Sequence, residues 1–219
     1  MLYPFLTALF TLVVFFSTLS SIPLIIMLDP AGDAQNAGRH IDDSFERGLT
    51  LQCVEHIKEC LEAQFPEIHF VLTRFPGESV QPLQNANFAN RLAVDLYVSI
   101  HLYHEVGTKP ELFIYTYTHD KVITKNKESQ FSFCPLDQAH RGTSAVTNSI
   151  AAAMHEHFLN HAQTMFTARG VFNVPFKPLM GIKAPALALE VGLKQKDDWR
   201  LYVDAFADAI ANIIKQKLI

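Results

Sequence analysis

The chain has 219 residues and a formal net charge of −4, with a sequence pI near 6.2. Lysine and arginine are scattered along the sequence, which argues against the clustered basic surface that nucleic-acid binding needs. The length and the 49% hydrophobic content suffice for one substantial core. We therefore predict a single domain and no nucleic-acid partner.

Residues 1–21 form an apolar segment without a charged side chain. Small residues near its end suit a signal peptidase site, which predicts an export signal cleaved after Ser20 or Ser21. An uncleaved membrane anchor is the alternative, because the segment approaches the roughly 20 apolar residues that span a bilayer. In either case we expect residues 22–219 to form a domain outside the cytoplasm, periplasmic or otherwise extracytoplasmic.

The three cysteines do not indicate a disulfide framework. Cys53 and Cys60 are expected on one helix, about 10 Å apart at 1.5 Å per residue, which is too far for a disulfide. Cys134 can pair with at most one of them. The sequence therefore predicts free thiols.

The first predicted elements are a strand, a loop and a helix. The apolar run from Pro23 to Leu28 predicts a buried strand, and the turn residues Asp29–Asp33 open a loop at its carboxyl end. Glu46 precedes a helical pattern of apolar residues that Pro66 stops.

Two further strands flank a short helix. A strand over His69–Thr73 leaves Arg74 at its carboxyl end, and a helix over Leu83–Leu92 follows. The run from Leu96 to His101 then predicts a buried central strand that ends on the histidine. Strands that alternate with helices in this way are typical of a parallel sheet with crossover helices.

The rest of the chain is predicted in the same manner, as a strand over Glu111–Thr118, an exposed polar excursion over His119–Arg141, a helix over Ser144–His161 and a strand over Ala186–Gly192. Asp197 and Asp198 are expected in the first turn of a closing helix, where negative charge suits the helix dipole. The predicted fold class is α/β, a single domain with a mostly parallel twisted sheet flanked by helices.

Three polar side chains are predicted at one edge of this sheet. His101 and Glu190 lie at strand ends, and Glu46 lies at the start of the first helix. An imidazole and a carboxylate are suitable zinc ligands, and a free carboxylate is the general base that metal-assisted hydrolysis uses. We therefore predict Glu46 and His101 as ligands of Zn2+ and Glu190 as the catalytic base.

Six short motifs occur in order from about Ile25 to Ile214, namely Leu28-Asp29-Pro30, Glu46 before an apolar helix, Val71-Leu72-Thr73-Arg74, Ala89-Asn90, Asp95-Leu-Tyr-Val-Ser-Ile-His101 and Pro185-Ala-Leu-Ala-Leu-Glu190-Val-Gly192. In this order and spacing they resemble the zinc-dependent N-acetylmuramoyl-L-alanine amidases of the family 3 type. The resemblance implies hydrolysis of the amide between the lactyl group of N-acetylmuramic acid and the L-alanine of the peptidoglycan stem peptide. It matches Glu46 and His101 to two zinc ligands, and Glu190 to the catalytic carboxylate.

The resemblance fails at the first zinc ligand. The family loop reads Leu-Asp-Pro-Gly-His-Gly, and here Gly32 stands where that histidine is expected. Asp33 and His40 are candidate substitute ligands, and His104 is a third. The alternative interpretations are that Asp33 is a turn residue and that His40 is solvated.

Three other side chains each have two interpretations. Arg74 is either a contact for a substrate carboxylate or a cap of its strand end. Asp29 is either a turn former or an acceptor that orients a ligand. Asn85 stands where the family usually has an arginine, which affects either loop packing or substrate contact.

Three functions follow, in different classes. The first is an exported zinc amidase that acts on peptidoglycan. The second is a catalytically inactive relative that binds peptidoglycan or a partner protein, which Gly32 motivates. The third is a membrane-anchored structural protein, which rests only on residues 1–21.

Overall fold

The computed structural model describes residues 23–81, 83–107, 109–119 and 135–219. The predicted export or anchor segment, Cys134 and most of the predicted polar excursion lie outside the described residues. Within the described ranges, no helix combines the length and the apolarity that a bilayer crossing requires.

The strands of the described chain are β1 (Ile25–Pro30), β2 (His40–Ile41), β3 (Ser44–Phe45), β4 (His69–Leu72), β5 (Leu96–His104), β6 (Glu111–Tyr117), β7 (Thr167–Val174) and β8 (Ala186–Leu193). The α-helices are α1 (Glu46–Gln64), α2 (Gln84–Leu92), α3 (Ser144–His161) and α4 (Trp199–Lys215). Short 3-10 helices cover Leu136–Gly142, Lys177–Leu179 and Lys196–Asp198.

Six strands form one sheet in the order β4-β1-β5-β8-β6-β7. The first four run parallel to one another, whereas β6 is antiparallel to β8 and carries β7 parallel beside it. β2 and β3 form a separate two-stranded hairpin. The predicted α/β class, a single domain with a mostly parallel sheet between helices, is confirmed.

The two faces of the sheet carry different cores. On β5, alternate residues from Leu96 to Leu102 join the larger core, in which the apolar side chains of α1, α3 and α4 pack. Tyr97 points the other way, into a smaller core that includes Ala86 and Ala89 of α2. Ser99 and His101 follow Tyr97 on that second face by the same alternation. Ser99 and His101 therefore lie on the face of the sheet that packs against the smaller core.

The central strand is longer than predicted. The sequence predicts that it ends at His101, but β5 continues to His104 because β8 extends beside it as far as Leu193. His101 therefore lies within the strand, and the residues before and after it are also paired with β8.

Two other elements differ from the sequence prediction. The strand over Thr167–Val174 is not predicted, because its Arg169, Gly170 and Asn173 interrupt any apolar run, and pairing with β6 fixes it in place. The closing helix begins at Trp199, so the acidic pair predicted in its first turn lies in the preceding 3-10 helix over Lys196–Asp198.

Candidate active site

Adjacent parallel strands bring His101 and Glu190 together. His101 of β5 lies opposite Glu190 of β8 in the ladder, so the two side chains leave the sheet on the same face. Asp29 of β1 lies opposite Ser99 of β5 in the same way. Backbone pairing alone therefore gathers these four polar residues at one end of the sheet.

Glu46 reaches this end from the first position of α1. Its Oε1 atom lies 3.4 Å from His101 Nδ1 and accepts the backbone N–H of Leu102 at 3.1 Å. Its Oε2 atom accepts the backbone N–H of Arg39 at 3.1 Å. Burial raises the pKa of Glu46, but the contacts from His101 and Arg39 outweigh burial and bring the pKa below its usual value. Glu46 is therefore a buried carboxylate held in the ionised form.

A buried hydroxyl holds the other side of the His101 ring. Ser99 Oγ lies 3.0 Å from His101 Nε2 and donates to Asp29 Oδ2 at 2.7 Å. Because the one hydroxyl proton goes to Asp29, the contact with His101 needs a proton on Nε2. This network places a proton on Nε2 and leaves Nδ1 facing Glu46 Oε1.

Asp29 acts as an anchor for this network. Its Oδ1 atom accepts from the hydroxyl of Thr73 at 2.7 Å and from the side-chain amide of Asn85 at 2.9 Å. Of the two interpretations of Asp29, the structure therefore favours the acceptor that orients a ligand, through Ser99. Asn85, at the position of the family arginine, contributes to the same anchor.

Arg74 has a structural role. Its side chain is buried and donates to the backbone carbonyls of Pro30, Ala31 and Arg47 at 2.8–3.2 Å. These bonds tie the end of β1 to the first turn of α1. The structure therefore favours the cap over a substrate contact.

Glu190 has two polar partners. The hydroxyl of Tyr115 donates to Oε2 at 2.8 Å, and Nη2 of Arg39 lies 2.5 Å from Oε1. The contact with Arg39 is an ion pair without the alignment of a hydrogen bond. Burial and the neighbouring Glu190 raise the pKa of Tyr115 to about 12, so its hydroxyl stays protonated and donates.

Gly32, at the position of the missing ligand, has a backbone that disfavours any side chain. Its φ is +76°, in the left-handed region. A Cβ atom at this position would lie 2.8 Å from Arg47 Cβ and 3.0 Å from the carbonyl oxygen of Asn36. A side chain at position 32 would therefore collide at its Cβ atom with the first turn of α1 and with the backbone of the loop.

Of the two interpretations of Asp33, the structure favours the turn residue over the substitute ligand. Its Oδ1 accepts the backbone N–H groups of Gln35 and Asn36 at 2.7 and 2.9 Å, and its Oδ2 accepts the Asn36 amide at 3.0 Å. Burial raises the pKa of Asp33, but the bonds from Asn36 and Gln35 outweigh burial and lower the pKa. The carboxylate is therefore engaged within its own loop.

The two candidate histidines lie at the rim of the site. His40 is exposed on β2, and its ring packs edge-on against Phe45 at 5.3 Å between centroids. His104 is also exposed, with Nδ1 3.8 Å from Asp42 Oδ1. Both rings therefore lie at the surface beside the cavity, and their assignment as substitute ligands stays a prediction.

Glu46 and His101 supply two of the three protein ligands that a catalytic zinc site needs. Such a site normally has three protein ligands and a water. Glu46 Oε1 and His101 Nδ1, 3.4 Å apart, are close enough to contact one cation at the usual distances of about 2.0–2.2 Å. In the described ranges, however, no group of three or more His, Cys, Asp or Glu side chains is arranged to hold a metal. The described residues therefore do not complete the predicted three-ligand zinc site.

The site opens to solvent through a shallow cavity of about 400 Å³, lined by Arg39, His40, Tyr103, His104 and Glu190. A second cavity of about 240 Å³ reaches His101 from the side of Asp29. A larger groove of about 1010 Å³ lies along β4, but none of the candidate catalytic residues lines it. The chemistry therefore assigns the active site to the smaller cavities.

Sequence reasoning missed three residues of the site. Ser99 is two positions before His101, so strand alternation alone was sufficient to place it on the same face. Tyr115 requires the antiparallel pairing of β6 with β8, which the sequence does not indicate. Arg39 belongs to no recognisable pattern, and its contact with Glu190 depends on a long-range fold-back of its loop.

A curated relative is similar to the chain in sequence. The N-acetylmuramoyl-L-alanine amidase CwlM of Bacillus licheniformis is 26% identical over 188 residues, which are 85% of this chain and 64% of that protein. The chain thus spans somewhat less than two thirds of that relative.

The fold matches that of solved amidases. The structure of Ami1, an amidase from Mycobacterium smegmatis, gives a TM-score of 0.66 at 17% identity and covers 90% of this chain and 100% of that one. An N-acetylmuramoyl-L-alanine amidase from Clostridium difficile 630 gives 0.65 at 19% identity and covers 89% and 97%. At these identities the similarity concerns the fold.

The family model described as N-acetylmuramoyl-L-alanine amidase matches residues 26–218. This range agrees with the range over which the six sequence motifs occur. The predicted resemblance and the enzyme family that it implied are thereby confirmed, and the chain belongs to the N-acetylmuramoyl-L-alanine amidase family.

Proposed function

We propose that this domain hydrolyses the amide that joins N-acetylmuramic acid to the L-alanine of the stem peptide in peptidoglycan. The observation that carries the proposal is the register of β5 and β8, which sets His101 beside Glu190. Glu46 contacts the same histidine from α1. Family membership adds the class of bond.

Glu190 is the residue that we assign to the proton transfers. Its carboxylate accepts a proton from the attacking water as the new C–O bond forms at the amide carbonyl. It then delivers that proton to the nitrogen of L-alanine as the C–N bond breaks. Tyr115 fixes Oε2 of this carboxylate at 2.8 Å, which keeps Glu190 in one orientation.

Zinc remains a prediction from the family resemblance. A bound zinc ion would lower the pKa of its water and would polarise the carbonyl of the scissile amide. Glu46 and His101, whose facing atoms lie 3.4 Å apart, are the residues that would hold it, and the family's third ligand is replaced by Gly32.

Binding without cleavage is the second candidate function, and Gly32 is the observation that favours it. A domain that keeps the fold and the cavity beside Glu190 but does not complete the metal site retains a surface for the glycan–peptide junction. Such a protein would bind peptidoglycan or a partner protein and would not release stem peptides.

Digestion of purified sacculi separates the two functions. We expect the tag-free full chain to release stem peptides that begin with L-alanine, and we expect Glu190→Gln to reduce the rate by at least about 100-fold. Glu111→Gln is the matched control, because Glu111 is also ion-paired to an arginine, Arg169 on the neighbouring strand. Pelleting with sacculi without release by the wild type would contradict hydrolysis and support binding.

We also propose that the domain works outside the cytoplasm, because peptidoglycan is located there and residues 1–21 are apolar and uncharged. Fractionation of cells that express the full chain tests this location. Recovery of the domain in the cytoplasmic fraction would contradict it, and the molecular mass of the exported form would distinguish a cleaved signal from an anchor.

A further inference from the structure

Arg39 contacts both carboxylates of the candidate site. Its guanidinium Nη2 lies 2.5 Å from Glu190 Oε1, and its backbone N–H donates to Glu46 Oε2 at 3.1 Å. Its carbonyl accepts the backbone N–H of Glu46 at 2.8 Å. One residue therefore joins the proposed catalytic carboxylate to one of the two predicted metal ligands.

The hairpin before α1 explains this position. Arg39 directly precedes β2 and Glu46 directly follows β3, so the pairing of His40 with Phe45 brings Arg39 opposite Glu46. Gly38 permits the close approach, because its φ is +73° and a Cβ atom there would lie 2.7 Å from Glu46 Oε2. The backbone therefore wraps tightly around the Glu46 carboxylate.

The guanidinium group has further support on its open side. It lies over the ring of Tyr103 at 5.7 Å from the centroid, within the range of a cation–π contact. The Arg39 side chain is 49% exposed, whereas that of Glu190 is 10% exposed. The positive charge therefore sits at the mouth of the cavity, directly against a nearly buried negative charge.

This arrangement matters because the metal site is incomplete. A carboxylate in a partly buried site is stabilised by a neighbouring cation, which offsets the cost of its desolvation. The position of the third zinc ligand is Gly32, and the adjoining space is filled by Arg47. Arg39 is the cation that contacts Glu190 instead.

We propose that Arg39 is the resident cation of this site. Its guanidinium, paired with Glu190, supplies the positive charge that the family resemblance assigns to zinc. This inference rests on the same site as the proposed function. Arg39 acts through Glu190, so it is a positioning residue. It offsets the charge of that carboxylate and orients it towards the cavity.

Metal binding provides a readout that is independent of activity. We expect the tag-free full chain, dialysed against zinc-containing buffer and then gel-filtered, to retain less than about 0.1 zinc per chain in elemental analysis. Arg39→Ala removes the competing positive charge, so we expect calorimetry to show Zn2+ binding about tenfold tighter than in the wild type. Stoichiometric zinc in the wild type overturns the proposal without any variant, and so does an unchanged zinc affinity in folded Arg39→Ala.

Arg200→Ala is the matched control for the alanine variant. Arg200 also pairs with a carboxylate, Asp197, and its guanidinium also lies over an aromatic ring, that of Trp199 at 4.5 Å. It lies on α4, and the candidate site contains none of these three residues. We expect its zinc affinity to equal that of the wild type, so that a gain in Arg39→Ala reports the site itself.

Chemical rescue gives a second readout. We expect Arg39→Ala to lower the rate of stem-peptide release by about 10- to 100-fold through kcat, with KM unchanged. Millimolar guanidinium ion is expected to restore part of that rate, and Arg39→Lys is expected to retain more activity than Arg39→Ala. Absence of both rescue by guanidinium and retention by lysine in an active wild type overturns the proposal.

The two proposals fail in different ways. Active wild type with stoichiometric zinc overturns the role of Arg39 and leaves the proposed hydrolysis intact. Zinc-free wild type that releases no stem peptide overturns the hydrolysis, and a tenfold gain in zinc affinity for Arg39→Ala still supports Arg39 as the resident cation.

Discussion

The hydroxyl of Ser99 donates to the carboxylate of Asp29 at 2.7 Å, and both residues are buried. The same hydroxyl oxygen contacts Nε2 of His101 at 3.0 Å. The His101 ring is thereby held at Nε2 by Ser99, while its Nδ1 atom faces a second carboxylate, Glu46. The orientation of His101 therefore depends on a bond between two neighbouring strands.

Ser99→Ala tests this dependence. We expect the variant to lose about 1–3 kcal/mol of unfolding free energy in urea, because one oxygen of buried Asp29 loses its donor. Ser149→Ala is the control, since Ser149 is exposed on α3 and its hydroxyl donates to the carbonyl of Ala145 one turn earlier. The control is expected to stay within about 0.5 kcal/mol of the wild type. Equal stability of the two variants would contradict a structural role of this bond.

Gly32→His is expected not to restore the family's metal site. A non-glycine residue in the left-handed region costs about 1–2 kcal/mol, and here the Cβ atom also meets Arg47. Gly77→His separates the two effects, because Gly77 has a similar φ of +82° and, among the described residues outside its immediate chain neighbours, no atom within 4 Å of its Cβ position. Urea unfolding should therefore show a larger loss at position 32. A Gly32→His protein as stable as Gly77→His, with bound zinc, would mean that the loop rearranges freely.

Asp33→Asn is expected to change stability with pH. The folded pKa of Asp33 lies below its ordinary value of 3.8, so the carboxylate stabilises the fold above that value and this contribution is lost as the pH falls through the folded pKa. At neutral pH we expect the unfolding free energy of the wild type to exceed that of the variant by about 1 kcal/mol. Urea titrations at several pH values should show this difference shrink below about pH 3.8. A difference that grows towards acid pH would contradict this sign.

The two described cysteines are expected to differ in reactivity. Burial raises the pKa of the Cys53 thiol to about 12, whereas Cys60 is exposed on the same helix. Iodoacetamide at about pH 8 should therefore alkylate Cys53 at least about 100-fold more slowly than Cys60 in the native protein. Peptide mass spectrometry checks both sites, and denatured protein should label at both. Rapid native labelling of Cys53 would mean that α1 is not packed on the sheet as described.

The parallel part of the fold was predictable because its strands are short continuous apolar runs. The runs that form β1, β5 and β8 are buried on both faces, so their residues carry a clear signal. The edge strand β7 lies beside β6 alone and is only partly buried, so its sequence is mixed and carries no such signal. The antiparallel direction of β6 could not be predicted from the sequence either, because long-range contacts determine which strands pair.

The candidate site was predictable to the extent that it lies on regular elements. Glu46, His101 and Glu190 were identified because the sequence predicted them at the start of a helix and at the ends of two strands, although both strands continue beyond these residues. Arg39 was not, because its relation to Glu190 arises from a two-residue hairpin whose strands are too short to be recognised in sequence. Asp33 had two interpretations until the bonds within its loop were known.

The pairing of β5 with β8 also decides which mutations the site tolerates. Because side chains alternate between the faces of a strand, a slip of one residue in β8 would turn Glu190 into the larger core and present an aliphatic neighbour to His101. Insertions in the loops around the site leave that alternation intact, whereas a single deletion between Ala186 and Glu190 would remove the carboxylate from the cavity. The central ladder therefore keeps the carboxylate beside His101 only when changes in its length come in steps of two residues.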